Sequence, residues 1–184
     1  MIARVAAWPE LVHIWGTSEA ERLRPYPCDE MLRDPDQVMF RAVDVEAPQG
    51  HVFRWLCQLR LAPYSYDWID NFGRQSPRRL VPGLDELETG QTFMRIFELA
   101  GFEPGTSITL VSDTPRGVRS VVSYVAEPHG PAGSRLLVKY GVEYSRPRLA
   151  APLRLVLPPG DLIMMRRQLL NLKRLAEASL AETG

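Results

Sequence analysis

The chain has 184 residues, of which 45% are hydrophobic and 24% charged, enough apolar content to bury a core and unlike a disordered tail or a coiled coil. Its 22 lysines and arginines equal its 22 aspartates and glutamates, so no net field recommends DNA, RNA or an anionic membrane as a partner. The length suits one domain of roughly 100–200 residues rather than two large lobes, and no window offers the ~18 uninterrupted apolar residues of a membrane span.

In chain order, Val5, Trp8, Val12 and Trp15 make a one-sided apolar stripe that predicts a short helix over Ala3 to Trp15. Gly16 to Asp36 is polar and holds Pro25, Pro27 and Pro35, which reads as an irregular lead-in, so residues 1–37 are an N-terminal extension to a domain spanning 38–184. Val38 to Glu46 reads as a strand, and Pro48 opens an amphipathic helix with Val52, Phe53, Leu56 and Cys57 on one face. A second short helix fits Pro63 to Asn71, and Arg74 to Gly90 reads as a solvated loop. Thr92 to Phe102, Thr106 to Asp113, Gly117 to Ala126 and Ser134 to Tyr144 then predict an antiparallel meander with short turns. The last of these alternates cleanly, with Leu136, Val138, Tyr140, Val142 and Tyr144 opposite Arg135, Lys139 and Glu143.

A cover for that apolar face comes from the C-terminus. Asp161 reads as the N-cap of a helix reaching about Ala181, with Leu162, Met165, Leu169, Leu172, Ala176 and Ser179 as its buried stripe. The order predicts a two-layer α+β fold.

Cys28 and Cys57 are too few for a disulfide scaffold, and Met1 to Gly16 lacks the core of a signal peptide, so a reduced cytoplasm is the expected setting. His13, His51 and His129 are scattered without ligand spacing, and no Gly-x-Gly-x-x-Gly, P-loop or Gly-x-Ser-x-Gly sequence occurs; neither metal nor other cofactor is expected. Arg78-Arg79 and Arg166-Arg167 read as solvated surface. Tyr64, Tyr66, Asp67, Trp68, Asp70 and Asn71 combine aromatic faces with donors and acceptors, the mixture that lines a cavity for a flat or amphipathic ligand. Arg95 shares a strand face with Phe93, Phe97 and Leu99, so it points into such a cavity if that face is the concave one and into solvent otherwise.

Val45-Glu-Ala-Pro48 leading into Val52-Phe-Arg-Trp-Leu56 resembles the START-like, Bet v-type superfamily called SRPBCC, whose fold is the helix-grip. Trp15-Gly-Thr17, Pro25-Tyr-Pro27, Tyr64-Ser-Tyr-Asp-Trp-Ile-Asp-Asn71 and Pro159-Gly-Asp-Leu-Ile-Met-Met-Arg-Arg167 are similar to its bacterial polyketide cyclase/dehydratase-like branch. The resemblance covers Val38 to Ala181 and implies a curved antiparallel sheet around the long helix, with a cavity between them for a hydrophobic small molecule. That fold has six or seven strands against the five read here, so either Thr92 to Phe102 bends into two or Leu80-Val81 pairs with the sheet.

In that frame Tyr64, Tyr66, Trp68 and Asn71 are ligand-binding candidates from the tyrosine-rich motif, Phe93, Arg95, Phe97, Tyr124 and Tyr140 from the sheet, and Met165 and Leu169 from the helix. The expected function is binding of an apolar or aromatic molecule. A metal-free cyclase or dehydratase is the alternative, with Tyr64 and Asp67 as the catalytic candidates. A module for a protein partner, or a homodimer, docked through the N-terminal stripe is the third reading.

Overall fold

The computed structural model describes residues 12–32, 34–66, 68, 73–115, 117–145 and 147–181. Its elements are β1 (Ile14–Trp15), α1 (Glu19–Leu23), β2 (Gln37–Val45), α2 (Gln49–Cys57), β3 (Thr92–Phe93), β4 (Phe97–Glu103), β5 (Ser107–Asp113), β6 (Val118–His129), β7 (Gly133–Tyr144) and α3 (Pro147–Ala181). One seven-stranded sheet runs in the order β1-β2-β7-β6-β5-β4-β3, antiparallel except for the β1–β2 pair. This is the α+β helix-grip architecture.

Register decides what the helix meets. Met39 pairs with Tyr140, Tyr140 with Val122, Val122 with Leu110 and Leu110 with Leu99, making one transverse row. The neighbouring row is Arg41, Val138, Tyr124 and Ile108. Since alternate residues of a strand share a face, both rows look the same way. Val122, Tyr124, Val138, Leu110 and Ile108 pack there with Trp55 and Leu56 of α2 and with Met165, Leu169, Leu172 and Ala176 of α3. Each fully buried leucine contributes about 1.5–3 kcal/mol. Trp55 also donates its indole N–H to Ser179 Oγ at 3.0 Å, tying α2 to the end of α3.

Three expectations are corrected and one open alternative is decided. Ile14 and Trp15 are a strand rather than the end of a helix, because they pair in parallel with Phe40 and Arg41; residues 1–11 lie outside the described ones. The lead-in is ordered: Ser18 and Glu21 form a capping box that starts α1. Tyr26, Cys28 and Leu32 cover the outer face of the sheet against Ala42, Val121, Val125 and Leu137. Of the two ways to a further strand, the first holds: Thr92 to Phe102 is two strands, broken where Met94 and Arg95 turn to φ 46° and 67°, while Leu80 and Val81 lie outside the sheet.

The third correction is α3, which begins at Pro147 rather than at Asp161 and continues through Pro152, Pro158 and Pro159. Each interior proline removes a helical hydrogen bond, at a cost of about 3 kcal/mol. Contacts with β2 offset that cost. Arg154 pairs with Asp36, its carbonyl accepts from Gln37 Nε2 at 3.0 Å, and Asp161 pairs with Arg41.

Candidate functional site

Between the sheet and the middle of α3 lies a cavity of about 660 Å³. Val122, Tyr124 and Tyr140 form its floor, and Leu157, Asp161, Met164, Met165 and Gln168, which recur at helical spacing, form its roof. Pro63 and Ser65 close one side, and the Met94–Phe97 turn closes another. Arg95 and Ile96 are exposed and mark the mouth. Non-glycine residues seldom adopt positive φ, and here two in succession lift the β3–β4 turn against the opening.

Against this apolar surface stand a few polar groups with defined partners. Tyr124 donates its hydroxyl to Gln168 Oε1 at 2.8 Å, and Gln168 Nε2 donates to the Pro63 carbonyl at 2.6 Å. The Tyr140 hydroxyl and Ser120 Oγ are 3.0 Å apart. Burial pushes the Tyr140 phenol up to about 12 and raises that of Tyr124 further, so both stay protonated in neutral water.

Asp161 supplies the cavity's carboxylate. Arg41 Nη2 donates to its Oδ2 at 2.7 Å and to the Val12 carbonyl at 2.7 Å, while Nη1 donates to the Phe40 carbonyl at 3.0 Å. The Arg41 side chain is fully buried and that of Asp161 is 8% exposed. Burial pushes the Asp161 carboxyl up to about 6 although Arg41 pulls it down, and burial likewise lowers Arg41. Desolvation therefore outweighs attraction in this pair.

Of the residues singled out in the sequence, Arg95, Phe97, Tyr124, Tyr140 and Met165 line this cavity. Phe93 and Leu169 lie fully buried in the core beside it. Tyr64 is also buried, with its ring edge-on to Trp55 at 6.1 Å and its carbonyl accepting from Asn171 Nδ2 at 2.8 Å. Tyr64, Tyr66 and Trp68 line a second recess, of about 350 Å³, on the far side of the 63–66 segment. Asp67, Asp70 and Asn71 lie outside the described residues. Among the described residues no group of three His, Cys, Asp or Glu side chains gathers to hold a metal, and no helix is long and apolar enough to cross a membrane. Cys28 and Cys57 are free, buried thiols, both raised by burial, Cys57 to about 12.

Three cavity-side groups escaped the sequence reading: Arg41, Asp161 and Gln168. Arg41 carried a signal, since it shares strand parity with Met39, Val43 and Val45 and so puts a charge on an apolar face. Asp161 and Gln168 stand at i−4 and i+3 from Met165, on the helix face that the stripe already defined.

No family model matches the chain, and no curated protein sequence matches it. Among solved structures, a hypothetical protein from Helicobacter pylori is similar over 83% of this chain and 95% of its own, at 13% identity and a TM-score of 0.52. A Thermobifida fusca protein solved by NMR is similar over 75% and 94%, at 13% identity and a TM-score of 0.50. The di-domain ARO/CYC BexL from the BE-7585A biosynthetic pathway is similar over 80% of this chain and 48% of its own, at 13% identity and a TM-score of 0.48. At such identities the likeness is one of fold alone, a curved antiparallel sheet with a long C-terminal helix across it.

Proposed function

We propose that this protein binds an apolar or aromatic small molecule in the cavity between the sheet and α3. The observation that carries this reading is the cavity itself: about 660 Å³, within the roughly 300–1,000 Å³ common for small-molecule sites. Val122, Phe97, Leu157, Met164 and Met165 supply apolar contact, and the two thioethers can adjust to an irregular ligand. Tyr124, Tyr140, Asp161 and Gln168 gather the polar atoms that would orient it. Native mass spectrometry of protein purified without detergent, paired with solvent extraction, tests the reading. A stoichiometric organic adduct supports it, and an empty cavity that takes up no compound from an apolar library contradicts it.

A second reading, a cofactor-free cyclase or dehydratase, draws on Asp161. A carboxyl titrating near 6 beside two phenols can exchange a proton with a bound enol at neutral pH. Under that reading Asp161→Asn abolishes turnover and leaves ligand affinity nearly intact; loss of affinity in step with turnover would restrict Asp161 to binding.

A further inference from the structure

The second recess differs from the first in chemistry. Its walls include Tyr66, Trp68, Arg78, Arg167 and Arg174. Arg167 and Arg174 stand two helical turns apart on one face of α3, with Asn171 between them holding the Tyr64 carbonyl, and Arg78 reaches the same hollow from the 73–90 loop. Among the described residues no carboxylate lines this hollow, and none of the three guanidinia forms an ion pair. Asp67 and Asp70, which flank Trp68 in the chain, lie outside those residues. Elsewhere Arg24, Arg41, Arg119, Arg135 and Arg154 each meet an acidic side chain. Three like charges drawn together repel one another, and an oxyanion placed among them removes that repulsion.

The aromatic groups narrow the class. Trp68 is 75% exposed, a large apolar surface left in water beside the arginines. The Arg167 guanidinium lies over the Tyr66 ring at 5.7 Å, and a stacked guanidinium keeps its N–H edge available for bonding in its own plane. We infer that the recess bounded by Tyr66, Trp68, Arg78, Arg167 and Arg174 binds an oxyanion carried on an aromatic ring, as in an aryl phosphate. The guanidinia hold the anion and Trp68 packs against the ring. This site is separate from the large cavity, since among the described residues only Ser65 lines both, and it does not depend on what the cavity holds.

Isothermal titration with phenyl phosphate, inorganic phosphate and phenol in low-salt buffer tests the inference. Phenyl phosphate should saturate one site, inorganic phosphate should bind more weakly and phenol should not bind measurably. Arg167→Gln and Arg174→Gln should each weaken phenyl phosphate by roughly tenfold. Arg54→Gln, at an exposed arginine of α2, should leave it unchanged, as should Val122→Trp in the large cavity. Failure of phenyl phosphate to saturate would overturn the inference, as would equal weakening by Arg54→Gln, which would mean diffuse charge attraction. Loss of binding in Val122→Trp alone would move the ligand to the other cavity and overturn it too.

Discussion

Arg41 and Asp161, 120 residues apart in the chain, meet at 2.7 Å with the arginine side chain wholly removed from water. The pair fastens the proline-interrupted half of α3 to β2 and sets a carboxylate in the cavity wall. Asp161→Ala leaves a buried guanidinium without its counter-charge, and chemical denaturation should show a loss of about 3–5 kcal/mol. Replacing both, as Arg41→Met with Asp161→Leu, should recover most of that loss. A double variant no more stable than Asp161→Ala would show that the pair does more than neutralise itself.

Two carboxylates give opposite slopes of stability against pH. The folded Asp161 keeps its proton up to about 6 whereas the free group loses it near 3.8. The folded state thus binds more protons in that window, so this group's contribution falls as pH rises from 3.8 to 6 and is level above. Glu21 is the reverse: its hydrogen bond from Arg135 lowers it from 4.5 to about 2, so its contribution is full above 4.5 and is lost as pH falls toward 2. Unfolding free energies measured from pH 2 to pH 8 should lose the first slope in Asp161→Asn and weaken the second in Glu21→Gln. Unchanged slopes would contradict these assignments.

Tyr124, Gln168 and the Pro63 carbonyl form a chain that joins β6, α3 and the 63–66 segment. Tyr124→Phe removes a donor and strands the buried Gln168 oxygen, at a cost of about 1–3 kcal/mol. In a Gln168→Leu background the same change should cost much less, since that oxygen is gone. Equal costs in both backgrounds, measured by thermal unfolding, would show that the two side chains act independently.

The sequence made the layers legible because alternation in β7 and the stripe from Leu162 to Ser179 are periodic, and periodicity survives without knowledge of contacts. It also marked Tyr124, Tyr140 and Met165, which face the cavity. What it concealed depended on pairing over long distances. Ile14-Trp15 is too short to read as a strand without β2 beside it, and Pro158-Pro159 reads as a helix boundary unless the contacts of Arg41 and Gln37 are known. Asp161 fits an N-cap by local rules, and only the buried arginine far upstream reassigns it.

The outer cover of the sheet was equally hidden, and it has its own test. A Cβ on Gly141 would lie 2.3 Å from Leu32 Cδ1, so a larger residue there requires the Leu32 side chain of the ordered lead-in to move. Gly141→Ala should destabilise the protein by about 1–3 kcal/mol through overpacking. In a Leu32→Ala background, where the clashing atoms are absent, it should be nearly neutral. A full penalty in that background would mean that the strand itself, and not the lead-in, demands glycine.

The proposed function requires that the hollow beneath α3 admit an apolar molecule. Titration with the fluorescent probe N-phenyl-1-naphthylamine, in the native protein and in Val122→Trp, addresses it most directly, because the indole would occupy the floor of the hollow next to Tyr140. Saturable enhancement at one probe per chain is expected in the native protein, with its loss in a variant that unfolds at a similar denaturant concentration. No saturable enhancement in the native protein, or equal enhancement in both, would contradict it.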